Sequence, residues 1–241
     1  MKPSTQSSSF KPLTISGHTF IPALLSQDSI VIDVGANLGA FASGLLAILP
    51  CKIYAVEPTP YLALKLREIN HITVIQCALS AESGSMAFEV DATNSEASRL
   101  VSGSRDHAIQ VQCVTLDHLL DRIDTIDLLK LDIEGSEIEV LLSASAGRLM
   151  LVKQISVEFH DFIRNGKVTA KMVSDVCNRL EGIGFKKFKM SHWTNGDVLF
   201  INTGLVPLSR KDSLFIRLNG RWLPGFSRVL KRLIRQHSSV S

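Results

Sequence analysis

The sequence predicts a mostly parallel α/β sheet with helices on both faces, and three observations predict it. Short apolar runs alternate with stretches of helical periodicity through most of the chain. The runs are continuously apolar rather than alternating, as strands covered on both faces must be. The 241 residues, 45% hydrophobic and 20% charged, suffice for one large domain with a sizeable core.

Taken in order, residues 29–33 read as a buried strand and 38–49 as the helix after it. Residues 52–57 form a second strand ended by Pro58, with a helix over 60–68, and 72–77 a third strand. Residues 86–90 and 109–114 read as extra strands around a polar excursion, 91–107. A short helix follows at 116–122, then a strand at 126–132, a helix at 136–145, a strand at 152–159 and a helix at 169–182. Residues 185–190 and 198–202 close the pattern as an antiparallel hairpin, which brings the main sheet to seven strands. Such sheets bind ligands beyond the carboxyl ends of their strands, where strand order reverses. The chemistry should therefore follow Ile32, Val56, Leu131 and Val157.

The composition narrows the class. Cys51, Cys77, Cys113 and Cys177 are scattered, with no close pair and no histidine at metal-ligand spacing. That excludes a disulfide framework and structural zinc, and it fits a reducing, cytoplasmic setting. Residues 1–14 are rich in polar residues and lack an apolar run, so they read as a disordered lead-in rather than a signal peptide. Residues 30–49 are apolar enough to resemble a membrane span. Asp33 lies inside them, however, and a carboxylate in hydrocarbon costs about 2.5–3.5 kcal/mol. A strand, a turn and a helix explain the same residues.

We place the domain at residues 15–204 and a basic extension at 205–241. The extension holds eight basic residues against the single acid Asp212, while the whole chain carries only +3. Phe226, Val229, Leu230, Leu233 and Ile234 fall at helical spacing with basic residues opposite. This stripe suits packing on the domain and equally a peripheral contact with an anionic membrane. No recognisable RNA module accompanies the charge, which argues against a nucleic-acid partner.

Two motifs carry the chemistry. In Val31-Ile-Asp-Val-Gly-Ala-Asn-Leu-Gly39, Gly35 permits positive φ and close approach of a ligand to the backbone, and Gly39 permits tight helix packing. Asn37 stands where a dinucleotide fold usually has its second glycine. Its side chain would crowd a pyrophosphate but not an amino-acid moiety. Glu57 ends the next strand, 24 positions after Asp33, where a carboxylate can accept both ribose hydroxyls of a nucleoside. The second motif is Asp127-Leu-Leu-Lys-Leu-Asp-Ile-Glu-Gly-Ser-Glu137. Lys130 and Asp132 share one face of its strand, Gly135 turns the chain, and Ser136 with Glu139 has capping-box spacing. Glu137, in the first helical turn, suits the helix dipole. Asp132 and Glu134 lie at the strand end, where a reacting group would sit.

These residues resemble the FkbM family of class I methyltransferases, through the two motifs, Ala55-Val-Glu-Pro58, Ala78-Leu-Ser80, Val114-Thr-Leu-Asp117 and Val157-Glu-Phe-His160, in order from about residue 30 to 202. The resemblance implies a Rossmann-like fold and S-adenosylmethionine as cofactor, held by Asp33, Gly35, Asn37, Gly39, Glu57, Pro58, Ala78 and Asp132. It implies O-methylation of a hydroxyl on a sugar, glycan or other small-molecule acceptor, with Lys130, Asp132, Glu134 and His160 as catalytic candidates. A hydroxyl acceptor needs a base, and Asp132 stands first for that role and His160 second. Asp132 is equally suited to the cofactor's amino group or to a divalent metal ion. The polar excursion from Asp91 to Arg99 suits an acceptor loop. Two other readings of the residues stay open: an NAD-dependent enzyme, against which the missing middle glycine counts, and a nucleoside-binding protein without turnover.

Overall fold

A computed structural model of the chain describes residues 10–89, 99–101, 108–121, 123–161, 167–191 and 193–222. Most of the polar excursion and the whole stripe from Phe226 to Ile234 lie outside the described residues.

The first elements of the described residues are a hairpin of β1 (Leu13–Ile15) and β2 (His18–Phe20). Its two-residue turn, Ser16-Gly17, has positive φ at both positions, 46° and 87°, as tight hairpin turns require. β3 (Ile30–Val34) then leads into α1 (Ala40–Leu46), β4 (Lys52–Val56) into α2 (Pro60–Leu66), and β5 (Ile72–Ile75) follows. α2 opens on Pro60, whose missing N–H costs nothing in the first turn. Next come β6 (Ala78–Leu79), β7 (Gly84–Glu89), β8 (Arg99–Val101) and β9 (Ala108–Val114), which form a separate sheet in the order β6-β9-β7-β8. After α3 (Leu116–Leu119) the chain continues through β10 (Leu128–Leu131), α4 (Glu137–Ser143), α5 (Ala146–Leu149), β11 (Gln154–Val157) and α6 (Ala170–Gly182). Then come β12 (Phe185–Lys189), β13 (Val198–Asn202) and α7 (Arg210–Arg217), and the described residues close on a π-helical turn, Leu218–Trp222.

The main sheet has seven strands in the order β12-β13-β11-β10-β3-β4-β5. β10, β11, β3, β4 and β5 pair in parallel, and β13 runs antiparallel to both its neighbours. This is the mostly parallel α/β sheet with a closing hairpin that the sequence predicts. Its central strands are buried at every position of β10, β11 and β13, which is why their runs read as continuously apolar. One core packs Ile32, Leu131, Ile138, Leu141, Val176 and Phe200 on one face; another packs Phe20, Val31, Phe41, Leu45 and Ile53 on the other. β3 is followed by β4 on one side and lies beside β10 on the other. Strand order therefore reverses at β3, and a crevice opens beyond its carboxyl end.

Several short pieces escape the periodicity, among them the N-terminal hairpin, β6, β8 within the polar excursion, α5 and α7. β1 starts at Leu13, two residues before the expected domain start. α7 lies within the basic extension, opened by a capping box of Ser209 and Asp212. Its Ile216, with Val206, packs against Ile21, Phe188 and Leu199. The expected capping box of Ser136 and Glu139 does not form, for Ser136 makes no side-chain cap bond. Glu137 supplies that acceptor instead: Ile133 and Gly135 donate their N–H groups to its carboxylate at 2.8 and 3.0 Å. The four cysteines are buried and free. Among the described residues no helix is long and apolar enough to cross a membrane.

Candidate active site

The crevice at the end of β3 is a cavity of about 410 Å³, within the roughly 300–1,000 Å³ usual for small-molecule sites. Gly35, Asn37, Glu57, Pro58, Ala78, Lys130, Asp132, Glu134 and His160 all line it, so the two motifs meet there. Asp33 and Gly39 do not line it. Asp33 is fully buried behind the wall against Lys130, and Gly39 faces α2.

One end is built by the turn after β3. Gly35 and Ala36 donate N–H groups to Val56 O at 3.0 and 3.1 Å, which ties the turn to β4. Gly35 has φ 72°, and a Cβ there would lie 1.8 Å from Asp132 O, so no other residue fits between β3 and the end of β10. Gly39, with φ 79°, brings α1 against α2: its Cβ would meet Ile69 and Leu66 at 2.7 and 2.9 Å. Glu57, at the end of β4, accepts the Asn37 N–H at 3.0 Å and the Thr59 N–H at 2.9 Å, one on each carboxylate oxygen. Burial raises its carboxyl above the usual range despite these bonds. A carboxylate has about four acceptor positions, so both oxygens retain capacity for a ligand. Asn37, at φ 50°, keeps its buried Oδ1 without a partner among the described residues.

The floor is Lys130. It is 3% exposed; its ammonium lies 3.1 Å from Asp33 Oδ1 and donates to Gly35 O at 2.8 Å and Val34 O at 3.2 Å. Burial alone would lower this ammonium, but the charges of Asp33 and Asp132 outweigh it and raise it. Lys130 thus clamps the glycine turn to β10, with Asp132 a further 3.7 Å contact.

The other end is a ring of carboxylates and imidazoles. Asp132 Oδ2 lies 3.3 Å from His18 Nε2, and Oδ1 lies 3.7 Å from His160 Nε2. Burial would raise Asp132, but the His18 bond and the charges of Lys130, His18 and His160 hold it at about 2. It is therefore ionised and a weak base. His160, which a strand end could have left on the surface, is buried. Its Nδ1 is 3.0 Å from Glu137 Oε1 and its Nε2 is 3.4 Å from Glu134 Oε2. Burial would lower the imidazole, but Glu137, Glu134 and Asp132 raise it to about 9. Glu134, at φ 53° in the turn after β10, is pushed to about 7 by burial, against the pull of His160.

Three residues of this ring carry no sequence signal of their own role. Glu137 is fully buried and orients His160 while closing the turn after β10. Glu158 lines the cavity 3.9 Å from His18. His18 comes from the N-terminal hairpin, 1% exposed, its ring edge-on to Phe41. Two side chains hold that hairpin in place. Gln154 exchanges hydrogen bonds with the Ile21 backbone at 2.9 and 3.3 Å, and Asp197 accepts from the Thr19 hydroxyl at 2.6 Å and N–H at 3.2 Å.

Residues 33–187 match the methyltransferase FkbM domain. The chain is 26% identical over 156 residues to the hexuronic acid methyltransferase AglP of Haloferax volcanii, covering 62% of this chain and 63% of that protein. It is also 26% identical over 166 residues to methyltransferase 1 of Beauveria bassiana, covering 56% of this chain and 66% of that protein. The matches thus span about two thirds of those relatives' lengths. Among solved structures, precorrin-6y C5,15-methyltransferase of Geobacter metallireducens aligns with a TM-score of 0.41 at 13% identity, over 73% of this chain and 80% of that one.

Proposed function

This chain belongs to the FkbM methyltransferase family, and we propose that it transfers a methyl group from S-adenosylmethionine to a hydroxyl of a sugar or other small metabolite. The observation that carries this reading is that one cavity joins a nucleoside-type end, Gly35, Asn37 and Glu57, to an acid–base end, Asp132, Glu134 and His160. The residues present fit the donor. Glu57 has acceptor capacity for two ribose hydroxyls, the orphaned Asn37 Oδ1 can accept from an ammonium, and Pro58, Cys77, Ala78 and Leu79 offer an apolar wall for a base. The AglP name supports a sugar-type acceptor.

S-adenosylmethionine supplies a methyl group on a sulfonium, already a good leaving group. The protein's part is to hold an acceptor oxygen in line with that methyl and to take its proton. A bound donor would supply the methyl group and take up the C–S electron pair at sulfur, and Glu134 would receive the proton of the acceptor hydroxyl. That carboxylate faces the cavity beside His160, which Glu137 fixes from behind. Lys130 keeps the glycine turn closed beneath the donor.

Calorimetry with S-adenosylmethionine, its demethylated product and NAD tests the donor, and a methyl-transfer screen over sugar-containing acceptors tests the reaction. Tighter binding of NAD than of either sulfur compound would falsify the reading.

A further inference from the structure

We propose that His18, Asp132 and Glu158 form a binding site for a divalent first-row cation of the Mn²⁺ or Zn²⁺ type at the acceptor end of the cavity. The three side chains come from separate elements, β2 and the turns after β10 and β11, and their ligand atoms all lie within 4.8 Å of one another. An ion at about 2.0–2.2 Å from each ligand needs ligand atoms no more than about 4.4 Å apart. The His18 Nε2 distances, 3.3 Å to Asp132 Oδ2 and 3.9 Å to Glu158 Oε2, meet that limit, and the two carboxylates, within 4.8 Å of each other, need at most a small side-chain rotation to do so. One imidazole with two carboxylates favours Mn²⁺ or Zn²⁺ over Ca²⁺, which prefers an all-oxygen set.

A second cluster, Asp132, Glu137 and His160, also converges. Its Glu137 carboxylate already accepts from Ile133 N, Gly135 N and His160 Nδ1, and it is fully buried. That cluster is closed. In the first cluster Asp132 and Glu158 are each 27% exposed and line the cavity, so an ion there keeps positions open to a ligand. His18 adds an independent indication. It is 1% exposed, is aimed by Nε2 between the two carboxylates, and has no partner at Nδ1 among the described residues. With no ion bound, Nε2–H donates to the ionised Asp132, whereas a metal on Nε2 would leave the proton on Nδ1. The ion would also offset charge where Asp132, Glu134 and Glu158 crowd one wall.

Resting on the proposed methyl transfer, the role follows: the open positions take the acceptor hydroxyl and a neighbouring oxygen, polarising the hydroxyl whose proton Glu134 receives. The metal site itself is tested without donor or acceptor. Mn²⁺ titrated into the full chain should bind at one equivalent, read by loss of the free-ion paramagnetic resonance signal, and Zn²⁺ should displace it. His18→Ala and the nearly isosteric Glu158→Gln should each weaken Mn²⁺ by more than about 100-fold, beyond the loss of an outer-shell contact. His160→Gln should leave the affinity within about tenfold, as an outer-shell change. Thermal melting and S-adenosylmethionine binding of each variant report its folding. No Mn²⁺ binding by the wild type overturns the site, as does loss in His160→Gln with retention in His18→Ala. If the wild type binds Mn²⁺ but not S-adenosylmethionine, the donor reading fails and the metal site stands.

Discussion

His160 Nδ1 lies 3.0 Å from Oε1 of the fully buried Glu137, and this contact fixes the orientation of the ring that faces the cavity. The same carboxylate accepts two backbone N–H groups from the turn after β10. Glu137 therefore sets the position of the His160 ring and is the largest of the three contributions that keep it charged.

Glu137→Gln should accordingly act on both. Removing one partner of a buried ion pair costs about 3–5 kcal/mol. Denaturant unfolding should show a loss of that order. Nuclear magnetic resonance should show the His160 pKa falling from about 9 towards the ordinary histidine value. Unchanged titration of His160 in a folded variant would mean that Glu137 only closes the turn.

Glu57 is the test of the donor end. Glu57→Ala should weaken S-adenosylmethionine by roughly 1–3 kcal/mol through lost ribose hydrogen bonds. It should also lower the melting temperature, because the Asn37 and Thr59 N–H groups lose their acceptor. Glu57→Gln, which keeps one carbonyl oxygen, should fall between. Calorimetric affinities equal across the three proteins would remove Glu57 from the binding site.

Roles at the acid–base end separate by kinetics on an acceptor that the screen identifies. Glu134→Gln should reduce turnover roughly 10²–10⁴-fold if Glu134 receives the proton. Asp132→Asn removes an ionised group rather than the base, so its loss should appear mainly in acceptor KM. A Glu134→Gln enzyme with full turnover, beside an inactive Asp132→Asn, would return the base to Asp132.

How much of this was legible in the sequence depends on which force assembles each part. Strands of a parallel sheet end on one side, so Gly35, Glu57, Lys130, Asp132, Glu134 and His160 could be brought together from order and spacing alone. His18 could not. It sits on a three-residue strand whose one local signal is Ser16-Gly17, and its placement comes from tertiary bonds to Gln154 and Asp197. The Ser136 and Glu139 spacing misled for a related reason. Positive φ at Glu134 and Gly135 turns the Ile133 and Gly135 N–H groups towards Glu137, so the nearer carboxylate takes the cap. α7 was hidden because its short amphipathic pattern lies within a strongly basic stretch.

Stability against pH gives a last test, made on metal-free protein in chelator. Asp132 is held at about 2, below its ordinary 3.8, so its contribution is present above pH 3.8 and is lost as pH falls through 2. Asp197, Glu134 and His160 act in the opposite sense, as do Glu57 and Glu158, which burial also raises. Asp197 is raised from 3.8 to about 6 by burial beneath the N-terminal hairpin, and Glu134 from 4.5 to about 7. Each favours folding fully below its ordinary value and loses that effect as pH rises through its folded value. His160, raised from 6.5 to about 9, does the same between those two values. Its shift alone corresponds to roughly 3 kcal/mol. Glu134 and His160 lie 3.4 Å apart, so their two steps belong to the pair. Melting temperature should therefore peak on the acid side, at about pH 4 to 5, and fall steadily towards pH 9. His160→Gln should flatten the limb above pH 6.5, and Asp197→Asn the limb between 3.8 and 6. A melting temperature that rises from pH 6 to 9 would mean that the imidazole is neutral in the folded protein, and the ring of carboxylates would then need a cation from elsewhere.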